Sequence, residues 1–155
     1  MIRPGTPDDL DALAGLAAET GLFSAEDLCT FRGMMEATLA EPEETAGFWA
    51  LDQTVGLRAG AYAAPQMMAD GVWSIVFVGV RAAQRGRGHG AALTRHVEEQ
   101  VQRLGARLLL VETSSDASLS AARAFCPRLG FEEEARIRDY YQDGEDKIVY
   151  RKAFS

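Results

Sequence analysis

The segment from Phe77 to Ala91 restricts what this chain can fold into more than any other part of it. An apolar, β-branched run (Phe77-Val78-Gly79-Val80) passes through Arg81-Ala82-Ala83-Gln84-Arg85 to glycines at 86, 88 and 90, and then into an amphipathic helical pattern. A strand handed to a helix through alternating glycines leaves the connecting backbone bare. Glycine lets a ligand come close without Cβ hindrance, and the first N–H groups of a helix have no intrahelical acceptor. With the positive end of the helix dipole also facing out, this is an anion cradle of a size that suits a pyrophosphate. Gly86, Gly88 and Gly90 carry this reading, and the His89 ring is expected to face solvent.

Charge supports this reading. The chain is acidic, with 16 basic against 23 acidic residues and a net charge of −7. Arg81 to Arg107 nevertheless holds six arginines against Glu98 and Glu99, an island of +4 that leaves −11 for the remainder. Arginines among glycines present planar, charge-assisted donors to phosphate oxygens, whereas the acidic remainder argues against a nucleic-acid binder. The alternative is a basic solvated loop on an ordinary helix.

A length of 155 residues suits one domain with its own core, spanning residues 1–155. No stretch reaches the roughly 18 apolar residues of a membrane span, and Met1-Ile2-Arg3-Pro4 lacks the build of a signal peptide, so the expectation is a cytoplasmic protein without a membrane partner. Cys29 and Cys126 are far apart in sequence and have only His89 and His96 as histidine companions, which points to neither a metal site nor a disulfide scaffold. A homodimer is left open.

Periodicity and punctuation predict the elements. Ile2 begins a strand, and Thr6 before Pro7, Asp8 and Asp9 reads as a helix start, with Leu10, Leu13 and Leu16 as the buried stripe and Gly21 as the stop. Ser24 with Asp27 caps a second helix through about Leu39, which Glu41-Pro42 ends. Gly47 to Leu51 and Val55 to Ala63 form a hairpin, and Val72 to Val80 a central strand covered on both faces. The next helix, from about Gly88 to Leu104, buries Leu93, Val97, Val101 and Leu104. Arg107 to Thr113 is a buried strand; Leu119, Ala122, Phe125 and Leu129 trace a helix containing Pro127; Phe131 to Arg138 and Lys147 to Phe154 are strands around a turn-rich Tyr140 to Gly144. The order β-α-α-β-β-β-α-β-α-β-β describes a mixed-sheet α/β fold.

Arg85-Gly86-Arg87-Gly88-His89-Gly90, placed after an apolar strand and opening a helix, resembles the acetyl-coenzyme-A signature of the GCN5-related N-acetyltransferases. The element order resembles that family too, over essentially the whole chain, which implies a mixed, mostly antiparallel sheet flanked by helices. The resemblance implies that the backbone of Val78 and Val80 pairs with the pantetheine arm while Arg85, Gly86, Arg87, Gly88, His89, Gly90 and Ala91 bind the pyrophosphate through the loop amides, with acetyl-CoA as co-substrate and no metal. The similarity continues from Glu112-Thr113-Ser114-Ser115 to Leu129-Gly130-Phe131, with a departure: Leu119 and Cys126 stand where the family usually has a polar or aromatic residue and a tyrosine.

The implied reaction is attack of a primary amine on a thioester. Making an alkyl amine neutral at pH 7 costs about 4.6 kcal/mol from a pKa near ~10.4, whereas release of a thiol near ~8.5 as thiolate costs about 2 kcal/mol. Losing the tyrosine acid therefore slows the chemistry without abolishing it. Cys126 is the candidate replacement acid, since a thiol donates to a thiolate at nearly equal energy, or else a packed side chain. Glu112 at the end of its strand is the candidate base or a clamp on loop amides, with Asp70 and Asp116 as weaker carboxylates, and Ser74 is placed to orient a water. Tyr140 and Tyr141 are candidates to line the acceptor side. The resemblance implies that the first two helices border the acceptor cleft, so the ten acids of residues 1–46 against Arg3 and Arg32 favour a small cationic amine as acceptor. Two rivals remain: a dinucleotide-binding fold, disfavoured because five residues separate the strand from the first glycine, and an acetyl-CoA sensor that has lost turnover.

Overall fold

The computed structural model describes residues 1–40 and 47–154. Glu41-Pro42, the acids Glu43 and Glu44 and the rest of that connection lie outside the described residues. The elements are β1 (Ile2–Pro4), α1 (Leu10–Glu19), α2 (Ala25–Leu39), β2 (Phe48–Gln53), β3 (Leu57–Pro65), β4 (Val72–Val80), α3 (His89–Arg103), β5 (Leu108–Ser114), α4 (Ser120–Arg128), β6 (Glu132–Gln142) and β7 (Glu145–Ala153). Their order is the expected one. Hydrogen-bonded strand neighbours run β1-β2-β3-β4-β5-β7-β6. β4 and β5 are parallel, while β1–β2, β2–β3, β5–β7 and β6–β7 are antiparallel. Contacts group into two compact units, Met1–Ala64 with Phe77–Gln100, and Pro65–Val76 with Val101–Ser155.

In the first unit the predicted helix starts are real but offset. Pro7 opens a 3-10 turn over Pro7–Asp9, and the α-helix proper begins at Leu10. Asp9 accepts from the Thr6 amide at 2.8 Å and from both ends of the Arg3 guanidinium, which holds its carboxyl below the usual range despite partial burial. Ser24 caps α2 by accepting from the Asp27 amide at 3.1 Å. Leu13 and Leu16 of α1 and Met35 of α2 then pack with Trp49, Leu51, Tyr62 and Phe77. α1 comes so close to β3 that a Cβ on Gly60 would sit 2.9 Å from Leu13 Cδ2 and 3.2 Å from Leu51 Cδ2. Asp52, expected in a turn, lies within β2 and is 2% exposed.

In the second unit β5 pairs with β7 along its whole length, Leu108↔Ala153 through Ser114↔Lys147, but with β4 only from Val72↔Leu108 to Ile75↔Val111. Val76, the next residue of the strand expected to be covered on both faces, is 54% exposed. Leu109, Ile148 and Tyr150 are buried, and so are Cys126, Leu129 and Phe131. The turn expected over Tyr140 to Gly144 shrinks to Asp143-Gly144, because β6 carries both tyrosines and the Asp-Gly pair, with Gly144 at φ 81, suffices for a two-residue hairpin. Leu104 is 43% exposed: α3 ends at Arg103, so the helical stripe does not extend to it.

β6 is the sheet edge and every one of its residues is exposed. It is irregular between Glu133 and Ala135 and again after Ile137, where Asp139 has φ 56. Bulges and alternating charge on an edge strand discourage pairing with another chain.

Because Leu13, Leu16 and Leu51 are fully buried and have no room to yield, Gly60→Val is expected to destabilise the fold by about 1–3 kcal/mol through overpacking, read as a lower denaturant midpoint at unchanged slope.

Candidate active site

The glycine turn belongs to the first unit. β4 leaves Val78 and Val80 half-buried and hands the chain to a 3-10 turn at Ala82–Gln84, after which Gly86 and Gly88 take φ 76 and 83. Both lie in the left-handed region, and an added Cβ at either would meet nothing within 4 Å. Glycine is therefore required by conformation while the space beside it is open, the arrangement an incoming phosphate needs. Ala92 N donates to Gly88 O at 3.0 Å as the first helical bond, so the amides at the start of α3 have no intrahelical acceptor. Leu93, Val97 and Val101, all fully buried, hold the helix in place.

The arginines divide by task. Arg81 is tied into the fold: its amide donates to Arg58 O at 2.8 Å, its Nε to Leu57 O at 3.2 Å, and its Nη1 pairs with Glu19. Glu19 also accepts from the Ala82 amide at 3.0 Å, and these donors hold its carboxyl below the usual range. Arg85 is exposed and folds back, with Nε donating to Val80 O at 3.2 Å and Nη2 to Glu19 O at 3.5 Å. Arg87 and Arg95 are exposed. Arg107 belongs to the second unit, where it donates twice to Asp70 O at 2.9 and 2.6 Å.

His89 does not face solvent. Its ring is 16% exposed, with Nδ1 3.5 Å from Oδ2 of Asp52. The other oxygen of Asp52 accepts from Arg58 Nη2 at 2.9 Å and lies 3.3 Å from the Met1 nitrogen. Burial opposes the charge on Asp52, yet these cationic partners outweigh it and hold the carboxyl below its ordinary range. A carboxylate following the apolar run Phe48-Trp49-Ala50-Leu51 is the sequence signal that could have marked this group.

The second unit holds Ser74, Glu112 and Cys126. Ser74 is 5% exposed and its Oγ accepts from Gln66 Nε2 at 2.5 Å. Glu112 is exposed, with Oε2 2.9 Å from the Nζ of Lys147. That ammonium also lies 4.5 Å from the centre of the Tyr140 ring, which stacks edge-on with Tyr141. Burial works against the Lys147 charge, but Glu112 and Tyr140 more than compensate and push its pKa up. Gln66 and Lys147 are the polar partners that sequence reasoning missed. Cys126 is 6% exposed and burial pushes its thiol up to about 11. Asp116 instead caps the turn at Ala117–Leu119, accepting from Ser118 N at 3.0 Å, while Asp70 is bound through its carbonyl to Arg107. Among the described residues no group of three His, Cys, Asp or Glu is placed to hold a metal ion, and no helix is long and apolar enough to cross a membrane.

A strand, a left-handed glycine turn and a bare helix start recur together in one family, and its sequence model, the acetyltransferase (GNAT) family, matches residues 15–131. The chain belongs to the GNAT family. Among solved structures it is similar to a GNAT-family protein from Desulfovibrio desulfuricans, at 25% identity with TM-score 0.92 over 99% of this chain and 98% of that one. It also resembles the ribosomal-protein-S18-alanine N-acetyltransferase of Escherichia coli (22% identity, TM-score 0.78, 100% of this chain and 94% of that one). A third structure, an aminoglycoside 6'-N-acetyltransferase complexed with coenzyme A, shares 16% identity at TM-score 0.78 over 99% and 96% of the two chains. A search among curated proteins finds no match.

At pH 8 a thiol titrating at about 11 is only about one part in a thousand thiolate, so alkylation of the native protein is expected to modify exposed Cys29 and spare Cys126 until the chain is unfolded, as read by peptide mass.

Proposed function

We propose that this GNAT protein is an acetyl-CoA-dependent N-acetyltransferase that moves the acetyl group to a primary amine by direct attack in a ternary complex. The observation that carries the reading is the turn at Gly86 and Gly88, left-handed and open, leading into the bare start of α3. In this reading the amides of Gly86 to Ala91 hold the pyrophosphate, helped by Arg87 and by Arg85 once it leaves Val80 O, and the backbone of Val78 and Val80 pairs with the pantetheine arm.

The amine must lose a proton and the thioester must release a thiolate as the C–N bond forms and the C–S bond breaks. Glu112 is assigned the proton, taken through a water, with Lys147 fixing the carboxylate by way of Oε2. Ser74, its oxygen already engaged by Gln66, has its hydroxyl hydrogen to offer such a water. Relative acidity argues against Cys126 as the acid. Burial makes this thiol a weaker acid than the thiol of the cofactor it would have to protonate, so the transfer runs uphill. The thiolate therefore leaves unprotonated, and Cys126 contributes packing.

The acceptor we assign is a small cationic amine. Arg3 and Arg32, the two basic residues of the first 46, are consumed by Asp9 and Asp11, so the acidic surplus of that segment persists with Asp8, Glu26, Asp27 and Glu36 among the described residues. The competing reading is a sensor that binds acetyl-CoA without turnover, favoured by Leu119 and by the poor acidity of Cys126. A panel of amines assayed by thiol release separates the two: release with cationic amines supports the transferase, and silence alongside tight CoA binding supports the sensor.

Two further outcomes are expected. The double charge reversal Arg85→Glu with Arg87→Glu weakens CoA binding at least tenfold by calorimetry, more for CoA than for dephospho-CoA; unchanged affinity would overturn the phosphate assignment. Cys126→Ala keeps turnover within about threefold, and a loss beyond about thirtyfold would return the thiol to the chemistry.

A further inference from the structure

The turn from Gly86 to Gly90 has glycine at alternate positions and side chains only at Arg87 and His89. Arg87 is exposed. His89, the first residue of α3, is the side chain that turns inward, to a carboxylate that is itself 3% exposed. Asp52 divides its two oxygens, Oδ1 to Arg58 at 2.9 Å and Oδ2 toward His89 Nδ1 at 3.5 Å. Arg58 is anchored in β3 and Asp52 in β2, so the contact joins two strands to the point where the glycine turn becomes a helix.

From this geometry we infer that His89 is a positioning residue for the cofactor turn. Its ring, tethered by Asp52, fixes the direction of the backbone amides at positions 89 to 91, and its own side chain makes no contact with phosphate. The inference rests on the reading that this turn holds the pyrophosphate. The physical reason is entropic. Left-handed glycines on one side and Gly90 on the other give the turn many accessible backbone states, and an untethered turn would lose that freedom each time it closed on an anion. Asp52 suits the task because Arg58 holds it charged and in one orientation, with Oδ2 3.5 Å from Nδ1 of His89.

Calorimetric titration of CoA into the full chain, together with melting temperatures and initial rates on any amine the protein accepts, tests the idea. His89→Ala is expected to weaken CoA binding about tenfold and to raise the KM for acetyl-CoA in proportion, with the KM for the amine and the melting temperature nearly unmoved. His89→Gln, whose amide can still donate to Asp52, is expected to recover most of the affinity. Asp52→Asn combined with His89→Ala should weaken binding no further than either alone, because the two act as one unit. Equal CoA affinity in wild type and His89→Ala would overturn the inference, and so would additive losses, which mean the ring meets phosphate directly. If Asp52→Asn fails to fold, with Arg58 left without its carboxylate, the Ala and Gln variants at 89 still decide. Failure of the wild type to bind CoA would instead overturn the cofactor reading itself.

Discussion

The path of β4 into the glycine turn constrains everything built on it: its first half pairs with β5 over four registers, and β5 pairs with β7 over seven. The parallel ladder to β5 runs from Val72↔Leu108 to Ile75↔Val111, and β4 itself continues to Val80 within the first unit. Backbone N–H and C=O groups are obligatory hydrogen-bonding groups. One of those groups, Val80 O, is already taken by the Arg85 guanidinium. β4 therefore ends in a basic turn whose own side chain covers the strand's last acceptor.

The electrostatics of that turn are governed by carboxylates as much as by arginines. Glu19 at the end of α1 holds the beginning of the turn through Arg81 and the Ala82 amide, and buried Asp52 faces its end through His89. A cluster of like charges would repel itself; Glu19 neutralises Arg81, the arginine that belongs to the scaffold, and Arg87 is left exposed. The charge island counted from sequence is thus two populations, one spent on holding the chain and one exposed.

The second unit shows the same division between scaffold and chemistry. Lys147, nearly buried, remains charged because Glu112 and the face of Tyr140 both stabilise its ammonium, and it is this cation that orients the candidate base. Cys126 goes the other way. Having no ionic partner to offset burial, its thiol becomes a weaker acid than the group it would have to protonate. Two buried groups of one unit thus move in directions set by the partners each has found.

The local code of the chain was legible because its signals are local. Ser24 and Asp27 cap α2, Gly21 and Gly105 end helices in left-handed conformations, and Gly86 and Gly88 adopt the positive φ that their spacing implied; each outcome depends on a few neighbouring residues. The strand–turn–helix signature could be read for the same reason, and with it the family. What the sequence could not determine was where polar side chains end up. Asp52 looked like part of a turn and is the most buried carboxylate near the glycine loop; His89 looked solvent-facing and is turned inward; Lys147 carried no signal at all and meets Glu112 across two strands. These pairings join residues 35 or more positions apart, and no periodicity encodes them. Sequence alone determined the backbone that can receive an anion, because glycine geometry and helix starts are short-range properties. Only the tertiary structure decided which charges are spent on holding that backbone and which remain for a ligand, because burial and long-range pairing exist only once the strands have met.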